Sequence, residues 1–251
     1  MIEVKNVSKS FGDQKVLKDI NATFEPGKVS MIIGESGSGK TVLLKSIIGL
    51  FVPEKGEIFF DNREFVHADI KFQREIRKEI GMVFQGGALF TSLTVEENVI
   101  FPLNLFSDMT KSEKLKRVNL CLERVNISNS NSLYPAELSG GMQKRVSIAR
   151  AIALNPKYLF CDEPNSGLDP QNSILIDRLI KEITEEYKTT TIVNTHDMNS
   201  VMEIGDNIYF IHDGKIWWHG NNTDIFNSDN KELNDFVFAS ELYKRIKKTK
   251  E

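Results

Sequence analysis

Gly34-Glu35-Ser36-Gly37-Ser38-Gly39-Lys40-Thr41 stands between a short β-branched run, Val29–Ile33, and a stretch in which Val42, Leu43, Leu44, Ile47 and Ile48 recur at helical spacing. The reading is strand, glycine loop, helix. The glycines let backbone amides turn inward and approach phosphate oxygens with no side chain in the way. The helix that begins there adds its positive N-terminal end. Lys40 supplies a point charge for β- and γ-phosphates, and Thr41 offers a hydroxyl to Mg²⁺. A glycine-rich turn alone is a weak signal. The full spacing in this strand-to-helix context is a strong one.

Further along, Tyr158-Leu159-Phe160-Cys161-Asp162-Glu163 ends an apolar run on two carboxylates. In a parallel sheet a strand tip faces the same edge as the glycine loop. Asp162 is placed to hold Mg²⁺ and Glu163 to polarise an attacking water. Two adjacent carboxylates in isolation would read as a solvated turn. Between the two segments lies Leu138-Ser139-Gly140-Gly141, followed by Met142, Val146, Ala149 and Ala153 on one helical face. Ser139 stands where a helix N-cap belongs, which makes a second anion site. One chain has little use for two such sites on one nucleotide. Two chains arranged head to tail would each offer Ser139 to the phosphate held by the other.

Alternating or apolar strand patterns fall at residues 2–7, 17–24, 57–60 and 80–84, then at 158–161, Thr190–Asn194 and 208–212. From about residue 91 to 155 strand signals vanish and helical ones dominate. A helix carrying Ile174, Leu175, Leu179, Ile180 and Ile183 separates two of the later strands. The expectation is an α/β fold, a mostly parallel sheet covered by helices, with a helical block inserted. At the end, Phe236, Ala239, Tyr243 and Ile246 fall on one face of a possible helix before a basic tail. That face reads either as packing on its own domain or as a docking element.

The 251 residues suffice for a sizeable core. A net charge of −3 and a pI near 5.9 give no reason to expect nucleic acid as a partner. No apolar run reaches the ~18 residues of a membrane span, and the start lacks the form of a signal peptide. The expected setting is cytoplasmic. Cys121 and Cys161 make no disulfide framework; Cys161 reads as a buried thiol, with a reactive role as the alternative.

With these parts in order, nearly the whole chain resembles the ATP-binding-cassette (ABC) ATPases. The resemblance implies a P-loop NTPase with a RecA-like core and an antiparallel β subdomain over residues 1–90 and 156–225. It places a helical signature subdomain over 91–155 and a C-terminal helix and tail over 226–251, all in one ABC domain. It implies ATP and Mg²⁺ as cofactors. Phe11 matches the aromatic that stacks on adenine, with Val16 five residues on as a further nucleotide contact. Gln85 matches the glutamine that touches Mg²⁺ and water. Leu138-Ser139-Gly140-Gly141 matches the signature, and Ser166-Gly167-Leu168-Asp169 the loop that crosses a dimer. His196 matches the histidine on the γ-phosphate.

Two short features narrow the resemblance: Gly86-Gly87-Ala88-Leu89-Phe90 after Gln85, and Met142 where most such ATPases have Gln. Both resemble ATPase subunits of Mla-type phospholipid transporters, which work with permeases and lipid-binding MCE-domain proteins. The implied setting is the inner face of the cell membrane, as a dimer on an integral membrane permease, with phospholipid as the indirect substrate. Lys144 departs from the wider family, which has glutamine there. Ala88-Leu89-Phe90 suggests a groove for a permease helix, with ordinary core filling as the alternative. Two other readings compete: an ABC ATPase moving lipoproteins, amino acids or metals, and a soluble ABC ATPase. A plain P-loop kinase would leave residues 138–141 and His196 unexplained.

Overall fold

The computed structural model describes residues 1–239. Its elements run β1 (Ile2–Phe11), β2 (Gln14–Phe24), β3 (Val29–Ile33), α1 (Lys40–Ile47), β4 (Lys55–Phe60), β5 (Arg63–Glu64), α2 (Ile70–Lys78) and β6 (Ile80–Val83). Then come α3 (Val95–Phe106), α4 (Lys111–Arg124), α5 (Gly140–Ile152), β7 (Tyr158–Asp162), α6 (Pro170–Tyr187), β8 (Thr190–Asn194), α7 (Met198–Ile204), β9 (Asn207–His212), β10 (Lys215–Gly220) and α8 (Lys231–Val237).

The strands form two sheets. A six-stranded sheet runs β10-β9-β3-β8-β7-β6, parallel from β9 to β6 with β10 antiparallel at one edge. A four-stranded antiparallel sheet runs β2-β1-β4-β5. The parallel strands of the larger sheet are buried on both faces, and successive residues along them enter different cores. Met31, Leu159, Cys161, Val193 and Phe210 join the cluster that carries α3, α4, α5 and α6. Ile32, Phe160, Ile192 and Ile211 join the cluster that carries α1 and the antiparallel sheet. Double burial explains why these strands read as continuous apolar runs.

Among the described α-helices all but α1, which starts from Gly39, begin on side-chain caps. Thr94 and Glu97 make a capping box on α3, and Thr110 and Glu113 another on α4. Such caps contribute about 1 kcal/mol each. In the parallel sheet Ile32 pairs with Asn194 and Asp162 also pairs with Asn194. The C-terminal ends of β3, β8 and β7 are therefore level. The chain leaves them at Gly34, Thr195 and Glu163 along one edge.

The C-terminal expectation needs correction. Phe236 lies in α8, but that helix ends at Val237 and Ala239 is outside it. Tyr243 and Ile246 lie outside the described residues. Three elements, β5, α7 and β10, were not anticipated. Among the described residues no helix is long and apolar enough to cross a membrane.

The helical block meets the sheet at a tight point. A Cβ added to Gly81 of β6 would stand 2.5 Å from the carbonyl oxygen of Ala151 in α5. Gly81→Ala is expected to destabilise the fold by about 1–3 kcal/mol through overpacking. A urea-unfolding midpoint unchanged from the wild type would contradict this packing.

Candidate active site

The glycine loop turns out of β3 through left-handed backbone at Gly34, Gly37 and Gly39, with φ of 149°, 83° and 110°. Gly34 also lies close to its neighbours: a Cβ there would come within 2.3 Å of the Ile211 carbonyl oxygen. Gly39 lies against β2, where its Cβ would meet the Val16 carbonyl oxygen at 3.1 Å. That contact sets Val16 beside the loop. Glu35, Ser36 and Gly37 are exposed, and Lys40 is buried. Lys40 Nζ donates to the carbonyls of Gly34 at 2.8 Å and Glu35 at 3.0 Å. Burial lowers the Lys40 pKa, while the carboxylates of Glu163 and Asp162 act to raise it. The Ser38 hydroxyl is buried without a hydrogen-bond partner, the condition of a group awaiting a polar ligand.

Asp162 joins the loop across the sheet edge. Thr41 Oγ1 donates to Asp162 Oδ1 at 3.2 Å, and Asn194 Nδ2 donates to the same oxygen at 3.1 Å. Consecutive strand residues point to opposite faces, so Asp162 and Glu163 could not both face the loop from a regular strand. The chain resolves this at Glu163, whose φ of 49° is left-handed. A non-glycine residue there costs on the order of 1 kcal/mol. The Glu163 amide is held by the Asn194 carbonyl at 2.9 Å. His196, two residues beyond β8, places Nδ1 2.8 Å from Glu163 Oε2.

The structure thus brings together Lys40, Thr41, Asp162, Glu163 and His196. Gln85 approaches from the other side: its Nε2 donates to Ser166 Oγ at 3.4 Å. Phe11 lies at the tip of the β1–β2 hairpin, 45% exposed, edge-on to Phe51 with ring centroids 5.3 Å apart. That exposure leaves its ring open to a stacking partner. Asp169 caps α6, accepting from the side-chain amide of Asn172 and from the backbone amides of Asn172 and Gln171, and these bonds, the side-chain one first, hold its carboxyl below the usual range.

Ser139 does cap α5, accepting from the Met142 amide at 3.3 Å. Among the described residues no hydrogen bond joins it to residues 34–41. Gly140 and Gly141 pack instead on Leu168 and Asn172. Within one chain, the signature segment belongs to the loop that leads into α6.

The sequence reading missed the contacts of three supporting groups, of which it had singled out only Lys144, as a departure from the wider family. Lys144 of α5 is buried and donates to the Gln85 carbonyl. Arg150 donates to the carbonyls of Ala88 at 2.8 Å and Gly87 at 2.9 Å. Fully buried Asn98 clamps Phe90, accepting from its amide at 2.8 Å and donating to its carbonyl at 3.1 Å. The available signal was a charged or amide side chain amid apolar helix positions. The carbonyls that these groups find are distant in sequence. Leu89 is half-buried and packs on the larger core cluster, whereas Ala88 and Phe90 face outward.

Comparison with known proteins agrees with the fold. A family model described as ABC transporter matches residues 17–166. The chain is 38% identical over 237 residues to the intermembrane phospholipid transport system ATP-binding protein MlaF of Haemophilus influenzae, covering 94% of this chain and 90% of the relative. It is 39% identical over 237 residues to the methionine import ATP-binding protein MetN of Clostridioides difficile, covering 94% and 74%. Among solved structures, the dimeric ATP-binding cassette MJ0796 in a post-hydrolysis state bound to ADP and Pi superposes with a TM-score of 0.81 at 35% identity, over 88% of this chain and 99% of that one. With the family model, the relatives and the fold in agreement, the chain belongs to the ABC transporter family and is an ATP hydrolase of the ABC type.

Proposed function

We propose that this ATPase powers a membrane permease that moves phospholipid between membranes, working as a dimer closed around two ATP molecules. The observation that carries the ATPase half is the single cluster of Lys40, Thr41, Asp162, Glu163 and His196, joined at 3.2 Å and 2.8 Å. In this reading Lys40 and the amides of residues 34–41 take the β- and γ-phosphates. Thr41 Oγ1 and Asp162 Oδ1 are hard oxygen donors of the kind Mg²⁺ accepts, and the side chain of Gln85 completes the set. When bound, Mg²⁺ neutralises charge on the phosphates. Glu163 accepts the proton of the attacking water, and His196 orients its carboxylate and meets the γ-phosphate. Ser139, Gly140 and Gly141 of a second copy close over the same phosphate, excluding water and strengthening each donor. Asp169 lies at the crossing between copies, and Phe11 stacks on adenine beside Val16.

A groove of about 420 Å³ supports the membrane half. Ala88, Phe90, Phe101 and Phe106 line it, with Arg150 at its wall. Phe90, Phe101 and Phe106 are exposed, an apolar surface that suits a short cytoplasmic helix of a permease. Its wall is tied through Lys144 and Arg150 to Gln85 and α5, so movement there reaches the site. Phospholipid as cargo is favoured by residues 86–90, by Met142 and by the likeness to MlaF. An MCE-domain protein would be a further partner, and the setting the inner face of the cell membrane. The comparable identity to MetN favours amino-acid import as the second reading.

Glu163→Gln is expected to slow hydrolysis by about 10²–10⁴-fold while ATP binding persists. Loss of nucleotide binding in this variant would contradict the assigned role. Purified from native membranes with ATP, the same variant is expected to carry a permease, an MCE-domain protein and phospholipid, detected by mass spectrometry. A methionine permease in their place would overturn the lipid reading and keep the ATPase. Phe106→Glu is expected to abolish transport while basal hydrolysis stays near wild type; equal loss of both would remove the groove's coupling role.

A further inference from the structure

Beneath the loop that follows Glu163 lies a buried polar cluster that the mechanism above does not use. Asn165 is 8% exposed, Asp177 of α6 3% and Ser200 of α7 1%. Asn165 Nδ2 donates to Asp177 Oδ1 at 2.7 Å and to Ser200 Oγ at 3.0 Å. The Ser200 hydroxyl also bonds the Asp177 carboxyl. These three groups come from three segments, each of which bears on hydrolysis. Asn165 is two residues after Glu163, Ser200 four after His196, and Asp177 two turns into the helix capped by Asp169.

We propose that Asp177 is a positioning residue for hydrolysis: by holding Asn165 and Ser200 together it keeps the Glu163 loop and the His196 segment in mutual register. This rests on the ATPase reading of the site. The Asn165–Ser200 bond is a buried side-chain pair that joins the Glu163 loop to α7, so it bears directly on the register of the 2.8 Å Glu163–His196 contact.

The tie has a built-in sensitivity to protons. Among the described residues no cation raises or lowers the charge on Asp177 directly. The charges nearby are Asp197, which caps α7, and Glu203 of α7; from β7 comes the uncharged Cys161 thiol. On α6, Arg178 pairs with Glu203 at 3.4 Å and Lys181 with Asp206 at 2.7 Å. Lys144 of α5 turns to the Gln85 carbonyl. The cavity beside Asp177 adds the uncharged Asn222 and Thr223. Burial first, then the Asp197 and Glu203 carboxylates, push Asp177 up to about 6 against the pull of its hydrogen bonds. An ionised Asp177 only accepts, which fixes the Asn165 amide with Nδ2 toward it and leaves the buried Asn165 Oδ1 without a donor. A protonated Asp177 has an O–H to offer that oxygen. The amide then reverses, and the Nδ2 bond to Ser200 is lost. Protonation thus exchanges one arrangement of the tie for another.

The test compares steady-state ATP hydrolysis and thermal unfolding of the wild type, Asp177→Asn and Asn165→Ala from about pH 5 to 8. Asp177→Asn is expected to keep KM for ATP and to lose about ten-fold in kcat at high pH, the scale set by sub-ångström misplacement of reacting groups. The wild-type kcat should fall toward the variant's as pH drops through about 6, with His196 common to both. The folded-state pKa is raised, so the stability linked to Asp177 is present at low pH and lost as pH rises through about 6. Asp177→Asn should therefore gain Tm over the wild type near pH 8 and not near pH 5. A slower yet more stable enzyme is an outcome that a merely structural role does not give. Asn165→Ala should lower kcat, and the double variant should lose no more than the larger single loss. Parallel pH profiles for the wild type and Asp177→Asn, or kcat and Tm falling together, would overturn the inference while leaving the ATPase intact. Absence of hydrolysis in the wild type would overturn the site reading and this inference with it.

Discussion

The hydrogen-bonded register of β3, β8 and β7 is the constraint on which the rest depends. Asn194 pairs with Ile32 on one side and Asp162 on the other. Its side chain then holds the Asp162 carboxylate, and its carbonyl holds the Glu163 amide. One residue at the centre of the edge thereby fixes the level of the glycine loop, the carboxylates and the histidine. A slip of one position would turn every side chain of a strand to the other face. Here that would exchange two different cores, so the double burial of the sheet protects the alignment of the site.

The helical block is tied to this edge by few polar bonds. Lys144 and Arg150 of α5 reach the carbonyls of residues 85, 87 and 88, and Asn98 of α3 holds residue 90. Burial lowers the Lys144 and Arg150 pKa values, and each cation is placed against backbone oxygens where a hydrogen bond to a charged group contributes about 1.5–3 kcal/mol. Such bonds are directional, so they transmit a displacement that apolar packing alone would absorb.

Much of this was legible in the sequence because the decisive signals are local. Val29–Ile33, Thr190–Asn194 and residues 158–161 read as strands because both faces are buried, and residues 34–41 carry their spacing openly. What escaped has physical causes. β10 is an edge strand with alternating exposed and half-buried positions and no apolar run. α7 has seven residues, too few to display a helical period. The left-handed turn at Glu163 leaves no mark on composition, since glutamate is an unusual residue for it. Lys144, Arg150 and Asn98 act on carbonyls, which every residue carries, so their partners cannot be told from side-chain identity. The Asp177 cluster was hidden because its helix reads as amphipathic whether or not one position is a buried acid.

Both cysteines lie inside the molecule, Cys121 1% and Cys161 0% exposed. Burial pushes the Cys121 thiol up to about 11 and Cys161 further still. Thiol chemistry runs through the thiolate, so at neutral pH neither residue offers an alkylating reagent or a peroxide much to react with. The native chain is a silent background for site-specific labelling. A single cysteine placed at an exposed position near the signature segment, such as Ser132 or Ala136, could carry a spectroscopic probe with both native thiols left in place, and opening and closing of the pair of cassettes could be followed in otherwise unaltered protein.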